Sequence, residues 1–142
     1  MTIALKRVYA EPSPQDGARV LVDRLWPRGL TKEDAALDAW LRDLAPSNEL
    51  RKWFHAHPLQ WGKFRERYLK ELSHQAAHDA LQKLYELKEQ RRSLTLLFAS
   101  KNEERNNALV LKQLLEGDRK PPTGTGPIRA VAAKRARAAR RR

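Results

Sequence analysis

The stretch Ser93-Leu94-Thr95-Leu96-Leu97-Phe98-Ala99-Ser100 is apolar at nearly every position and is the length of one strand. A strand with one wet face alternates, so a near-continuous apolar run implies a strand covered on both sides, as in a parallel sheet. Two other segments have strand character, residues 3–9 (IALKRVY) and 19–26 (RVLVDRLW), separated by the turn-rich EPSPQDG. The rest shows helical spacing. The expected fold is therefore α/β, a small mostly parallel sheet of about three strands covered by helices.

Thr31 followed by Lys32-Glu33-Asp34 makes a good helix start, and Leu37, Trp40, Leu41 and Leu44 continue it as an apolar stripe until Ala45-Pro46. Ser47 begins a second helix carrying Leu50, Trp53 and Phe54, interrupted at His57-Pro58. Trp61, Phe64, Tyr68, Leu72, Ala76, Ala80, Leu84 and Leu87 follow at helical spacing, a stretch long enough to predict a break near Ser73. A last helix carries Ala108, Leu109, Leu111, Leu114 and Leu115 and closes at Gly117. Alternation along the second strand places Val20, Val22, Arg24 and Trp26 on one face and Leu21, Asp23 and Leu25 on the other.

The net charge of +12 is unevenly divided. Residues 1–118 hold 20 Lys and Arg against 17 Asp and Glu, a balance of +3, whereas residues 119–142 hold nine cations and no acid. This divides the chain into one domain, residues 1–117, and a basic tail, residues 118–142, that opens with Pro and Gly and is expected to be disordered. Lys134, Arg135, Arg137, Arg140, Arg141 and Arg142, interleaved with alanine, suit DNA or RNA without sequence preference. If all nine tail cations contacted duplex phosphates, log affinity would fall with log salt at a slope of about −8. The competing reading is a dispensable extension that aids solubility. The chain has no cysteine, no signal-like N-terminal run and no apolar segment of membrane length, which suits a cytoplasmic protein.

Ligands of open α/β sheets sit beyond the carboxyl ends of the strands, where this chain places two polar clusters, Asp23 to Arg28 and Ser100 to Asn107. Pro27 ends the ladder and Gly29 admits an unusual backbone angle, turning the chain. The segments RVLVDRLWPRGLTKEDAALDAWLRDLAPSNELRKWF, FRERYLKEL and TLLFASKNEERNNALVL together resemble the YeaO-like branch of the domain-of-unknown-function 488 family, over roughly residues 3–116. The resemblance implies an α/β fold and a bacterial cytoplasmic setting but supplies no reaction. It carries recurrent polar positions onto Asp23, Arg24, Trp26, Pro27, Arg28, Gly29, Lys101 and Asn106. Two departures stand out: Ala56-His57 replaces a His-Asp pair, and Asn107 replaces a histidine. More distant relatives have a Cys-His pair near Asn106-Asn107, and a cysteine-free chain performs no thiol chemistry there.

The candidate ligand-binding residues are Arg24, Trp26, Arg28, Lys101, Asn102 and Asn106, with guanidinium forks and an ammonium suited to phosphate or carboxylate. Asp23, Lys101 and Glu104 are the catalytic candidates. Against the anion site stands a structural reading, in which Asp23 neutralises an arginine and locks the turn. For Trp26 a core role outweighs base stacking, and Trp40, Trp53, Phe54, Trp61, Phe64 and Tyr68 read as core. His55 with His57 and His74 with His78 lack a third ligand, and PTGTGP lacks the flanking strand and helix of a phosphate loop, so no metal or cofactor is expected. Two functions remain: an anion pocket serving an enzyme on a phosphate-bearing or nucleic-acid-derived substrate, or a non-catalytic nucleic-acid-binding or regulatory protein. Oligomeric state leaves no trace in the sequence.

Overall fold

The computed structural model describes residues 2–117; the tail expected to be disordered lies outside them. Four strands, β1 (Thr2–Arg7), β2 (Ala18–Leu21), β3 (Ala39–Trp40) and β4 (Ser93–Phe98), are accompanied by five α-helices, α1 (Lys32–Ala35) between β2 and β3, α2 (Asn48–Ala56), α3 (Trp61–Glu71) and α4 (Gln75–Gln90) between β3 and β4, and α5 (Asn107–Glu116) after β4. The sheet order is β1-β4-β2-β3 and every pairing is parallel. β4, the apolar run, lies between β1 and β2, and Leu94 through Phe98 are all buried. Its lack of alternation follows from that central position.

The pleat divides the core. Ile3, Ala18, Val20, Val22, Leu94, Leu96 and Phe98 face one large cluster with Phe64 and Tyr68 of α3, Leu72 just beyond it, Leu81 and Leu84 of α4, and Leu111 and Leu115 of α5. Leu21 and Leu97 face the other side, where Val8, Trp26, Leu30, Leu37 and Trp40 close over them. The larger helices thus cover one face and the chain between β2 and β3 covers most of the other. Gly17 admits β2 to the sheet: its φ is +65°, and a Cβ there would stand 2.2 Å from the Ser93 carbonyl oxygen.

The helix expected from Thr31 through Leu44 is a correction. Thr31 caps Asp34 N–H at 3.1 Å as its sequence predicts, but α1 stops at Ala35 because Ala36 turns left-handed at φ 49°. Asp38 then exchanges bonds with Arg19, its carboxylate accepting from Arg19 N–H and its own N–H donating to Arg19 C=O, both at 2.8 Å. That registers Ala39 opposite Val20 and makes residues 39–40 an edge strand. Leu37 and Trp40 go to one face of the sheet and Leu41 and Leu44 to the other. Trp26 is a second correction: it packs with Leu21 and Leu97, not with Val20 and Val22, because regular pairing ends before it and the alternation lapses. The first two strands are also shorter than expected, β1 ending at Arg7 and β2 at Leu21 rather than at Tyr9 and Trp26, because regular pairing with β4 stops there. The remaining helix boundaries agree with expectation. Ser47 accepts from Leu50 N–H at 3.0 Å as the cap of α2, and residues 72–74 separate α3 from α4, with Ser73 Oγ donating to Lys70 C=O at 2.6 Å.

Candidate functional site

The carboxyl ends of β1, β2 and β4 meet, with Val8 N–H donating to Phe98 C=O at 2.8 Å and Val22 N–H to Leu97 C=O at 3.1 Å. Arg7 ends β1 and clamps the chain beyond β4, donating to the carbonyls of Ala99 at 2.9 Å and Ser100 at 3.0 Å. Asp23, just past β2, accepts from Ala99 N–H at 2.8 Å, and Asn107, the first residue of α5, donates to Val22 C=O at 3.0 Å. Both polar clusters named from sequence therefore share one edge.

Asp23 is the chemically unusual group. Burial pushes its carboxyl above the ordinary range, while the Ala99 N–H, the Asn107 side chain and the charge of Arg51 pull the other way. The Tyr68 hydroxyl donates to Leu44 C=O and is held far above its ordinary range by complete burial, the Asn107 side chain acting more weakly in the other direction. Arg24 lies on this helix-facing side: its guanidinium donates to Ala45 C=O at 3.2 Å and acts electrostatically on Tyr68. Beside it, Glu71 accepts from Ser47 N–H at 2.8 Å and Ser47 Oγ at 2.6 Å. Arg51 acts on Asp23, and Arg24 and Glu71 on Tyr68, only through longer-range electrostatics.

The remaining candidates separate. Trp26 donates its indole N–H to Leu30 C=O at 2.6 Å and meets Trp40 edge-on at 5.4 Å, while Trp40 donates to Asp23 C=O at 2.7 Å. Asn102 Oδ1 accepts from the N–H groups of Glu104 and Arg105, both at 3.0 Å. Asn106 donates to Asn102 C=O at 2.8 Å and caps Leu109 N–H at 3.0 Å. These asparagines build the loop and start α5. Arg28, Lys101 and Glu104 are exposed, and no described partner holds the side chain of Arg28 or Lys101. Near Arg28, Tyr9 OH donates to its backbone carbonyl at 3.0 Å and lies under the Arg7 guanidinium at 5.2 Å.

Sequence reasoning did not select Arg7, Tyr68, Arg51 or the Ser47–Glu71 pair, and treated Asn107 only as a departure. Arg7 had a legible signal, a cation where an apolar strand stops. Tyr68 had none, since an aromatic on a helical stripe carries no mark of a hydroxyl aimed at a distant strand end.

The family model described as the inactive DUF488-N3 subclade matches residues 2–125. The uncharacterized protein YeaO of Escherichia coli is 47% identical over 115 residues, covering 81% of this chain and 97% of that protein. The uncharacterized proteins Rv3073c of Mycobacterium tuberculosis and Mb3100c of Mycobacterium bovis are each 43% identical over 115 residues, covering 81% of this chain and 94% of each relative. No solved structure matches significantly.

Proposed function

This chain belongs to the domain-of-unknown-function 488 family, and from that premise we propose that it is a non-catalytic nucleic-acid-binding protein whose carboxyl sheet edge takes phosphate groups. One observation carries the reading. Along that edge Asp23, Arg24, Trp26, Asn102 and Asn106 spend hydrogen bonds on nearby backbone, whereas Arg28 and Lys101 stay exposed and uncommitted among the described residues. Groups so locked position a loop; the exposed cations are left to meet an external anion. Two features add support, the nine cations of residues 119–142 and the description of the matching subclade as inactive. The tail supplies attraction without sequence preference, and the edge supplies a fixed contact.

The test is fluorescence anisotropy of a labelled oligonucleotide across a salt series. It compares wild type with Arg28→Ala/Lys101→Ala and with a variant in which Lys134, Arg135, Arg137, Arg140, Arg141 and Arg142 become Gln. Losing two duplex contacts should flatten the log–log salt slope by about 2, and losing six by about 5. Binding unchanged in the edge variant overturns the role of Arg28 and Lys101. An absence of binding by wild type overturns the reading altogether.

A further inference from the structure

The segment of α2 and α3 carries an excess of positive charge that the rest of the fold does not. Residues 48–71 hold six Lys and Arg against three acids, while the other residues of 2–117 hold 14 against 13. One of the three acids, Glu71, is engaged by Ser47. The ion pairs among the described residues are Lys6–Asp16, Arg19–Asp16 and Lys112–Glu116, so none of the six hairpin cations is neutralised by a salt bridge there.

Their arrangement is set by helical geometry. Phe64, Tyr68 and Leu72 form the inward ridge at and just beyond α3, and Lys63, Arg67 and Lys70 form an outward one, all three exposed. At 1.5 Å per residue, Lys63 and Arg67 start about 6 Å apart along the axis and Arg67 and Lys70 about 4.5 Å. Arg67 also bridges to α2: its guanidinium lies 4.4 Å from the ring centroid of Trp53. Trp53 in turn stacks on His57 at 5.0 Å with 22° between planes, and His57 Nδ1 lies 2.9 Å from Trp53 C=O. A guanidinium, an indole and an imidazole thus associate through their planar faces beside a row of unpaired cations, and Leu59 in the intervening turn is 89% exposed.

We propose that this hairpin face binds single-stranded nucleic acid, with bases adding to the Arg67–Trp53–His57 group and backbone phosphates following Lys63, Arg67 and Lys70. Splayed bases stack on arginine and aromatic faces whatever their identity, whereas the bases of a duplex already have stacking partners. The charge excludes a basic partner, and the planar groups favour a base-bearing polyanion over a merely acidic one. The inference rests on the nucleic-acid reading above but uses a different surface from Arg28 and Lys101.

The experiment titrates the full chain against labelled oligothymidylate and against a mixed-sequence duplex of equal length, across a salt series. Lys63→Ala/Arg67→Ala/Lys70→Ala should flatten the single-strand salt slope by about 2, from ~0.7 per contact, and weaken single-strand binding about threefold or more beyond any duplex loss. Arg67→Lys, which keeps charge and removes the planar group, should retain the slope and lower the single-strand preference. Equal losses on both forms, or no loss, overturn the proposal, as does an Arg67→Lys variant indistinguishable from wild type. Wild type that binds neither form sinks this inference and the function above together. Binding that responds to Arg28→Ala/Lys101→Ala but not to the hairpin variants sinks this inference alone.

Discussion

Each end of β2 has an aspartate, and the two are treated in opposite ways. At the amino end Asp16 is buried against cations: Arg19 Nη1 lies 2.5 Å and Lys6 Nζ 3.1 Å from its carboxylate, and Ser13 N–H donates at 3.0 Å. Arg19 is 4% exposed and spends its other donors on the carbonyls of Ala35 and Ala36, at 2.8–3.2 Å. Burial raises the Asp16 pKa, but the Ser13 bond and the two cations outweigh it, and the group lies below its ordinary value of 3.8. At the carboxyl end Asp23 has a backbone N–H and an amide as direct partners, with Arg51 acting only at longer range, and burial wins. Charge is neutralised where the fold is locked and left under tension where the strands end, which is where α/β sheets place ligands.

The largest break in this contrast should come from Arg19→Ala. Removing one member of a buried pair, and the donors for Ala35 and Ala36, is expected to cost about 3–5 kcal/mol in urea unfolding. Gly17→Ala should be comparably disruptive in thermal melts, since its Cβ meets the backbone of β4 and its φ is unfavourable for alanine. Asp23→Ala leaves Ala99 N–H without its acceptor and should cost about 1–3 kcal/mol. Asp23→Asn retains an acceptor and should cost less.

pH separates the aspartates more cleanly. Asp16 is depressed, so its contribution is present above the unfolded value of 3.8 and is lost as pH falls through its lower folded value. Asp23 is raised, so its ionisation costs stability as pH rises above 3.8, and that cost disappears on acidification. Unfolding free energies measured from pH 3 to 7 should show Asp23→Asn gaining on wild type as pH rises, and Asp16→Asn closing part of its deficit as pH falls below 3.8. The same direction for both variants would refute the contrast. The smallest effect on stability belongs to Arg28→Ala/Lys101→Ala, within about 0.5 kcal/mol of wild type, because both side chains are exposed.

Much of the fold was legible because it depends on local pattern. The buried run at Leu94–Phe98, the caps at Thr31 and Ser47 and the break around Ser73 follow from residue type and spacing within a few positions. Residues 37–44 were misread because their spacing satisfied a helix while Asp38 was held by Arg19, 19 positions away. The site divides along the same line. Asp23 and Arg24 were visible as polar residues where an apolar strand stops, but their partners Ala99, Asn107 and Ala45 lie 76, 84 and 21 positions along the chain.

Composition and periodicity thus fix that this chain builds a parallel sheet under helices and that its excess charge lies beyond residue 118, because burial and charge are sums over residue types. Which carboxylate is neutralised, which arginine is consumed and which cations face water are settled when distant segments meet. A hydrogen bond spends a donor on whichever acceptor the fold brings within about 3 Å, and one-dimensional order does not encode that distance.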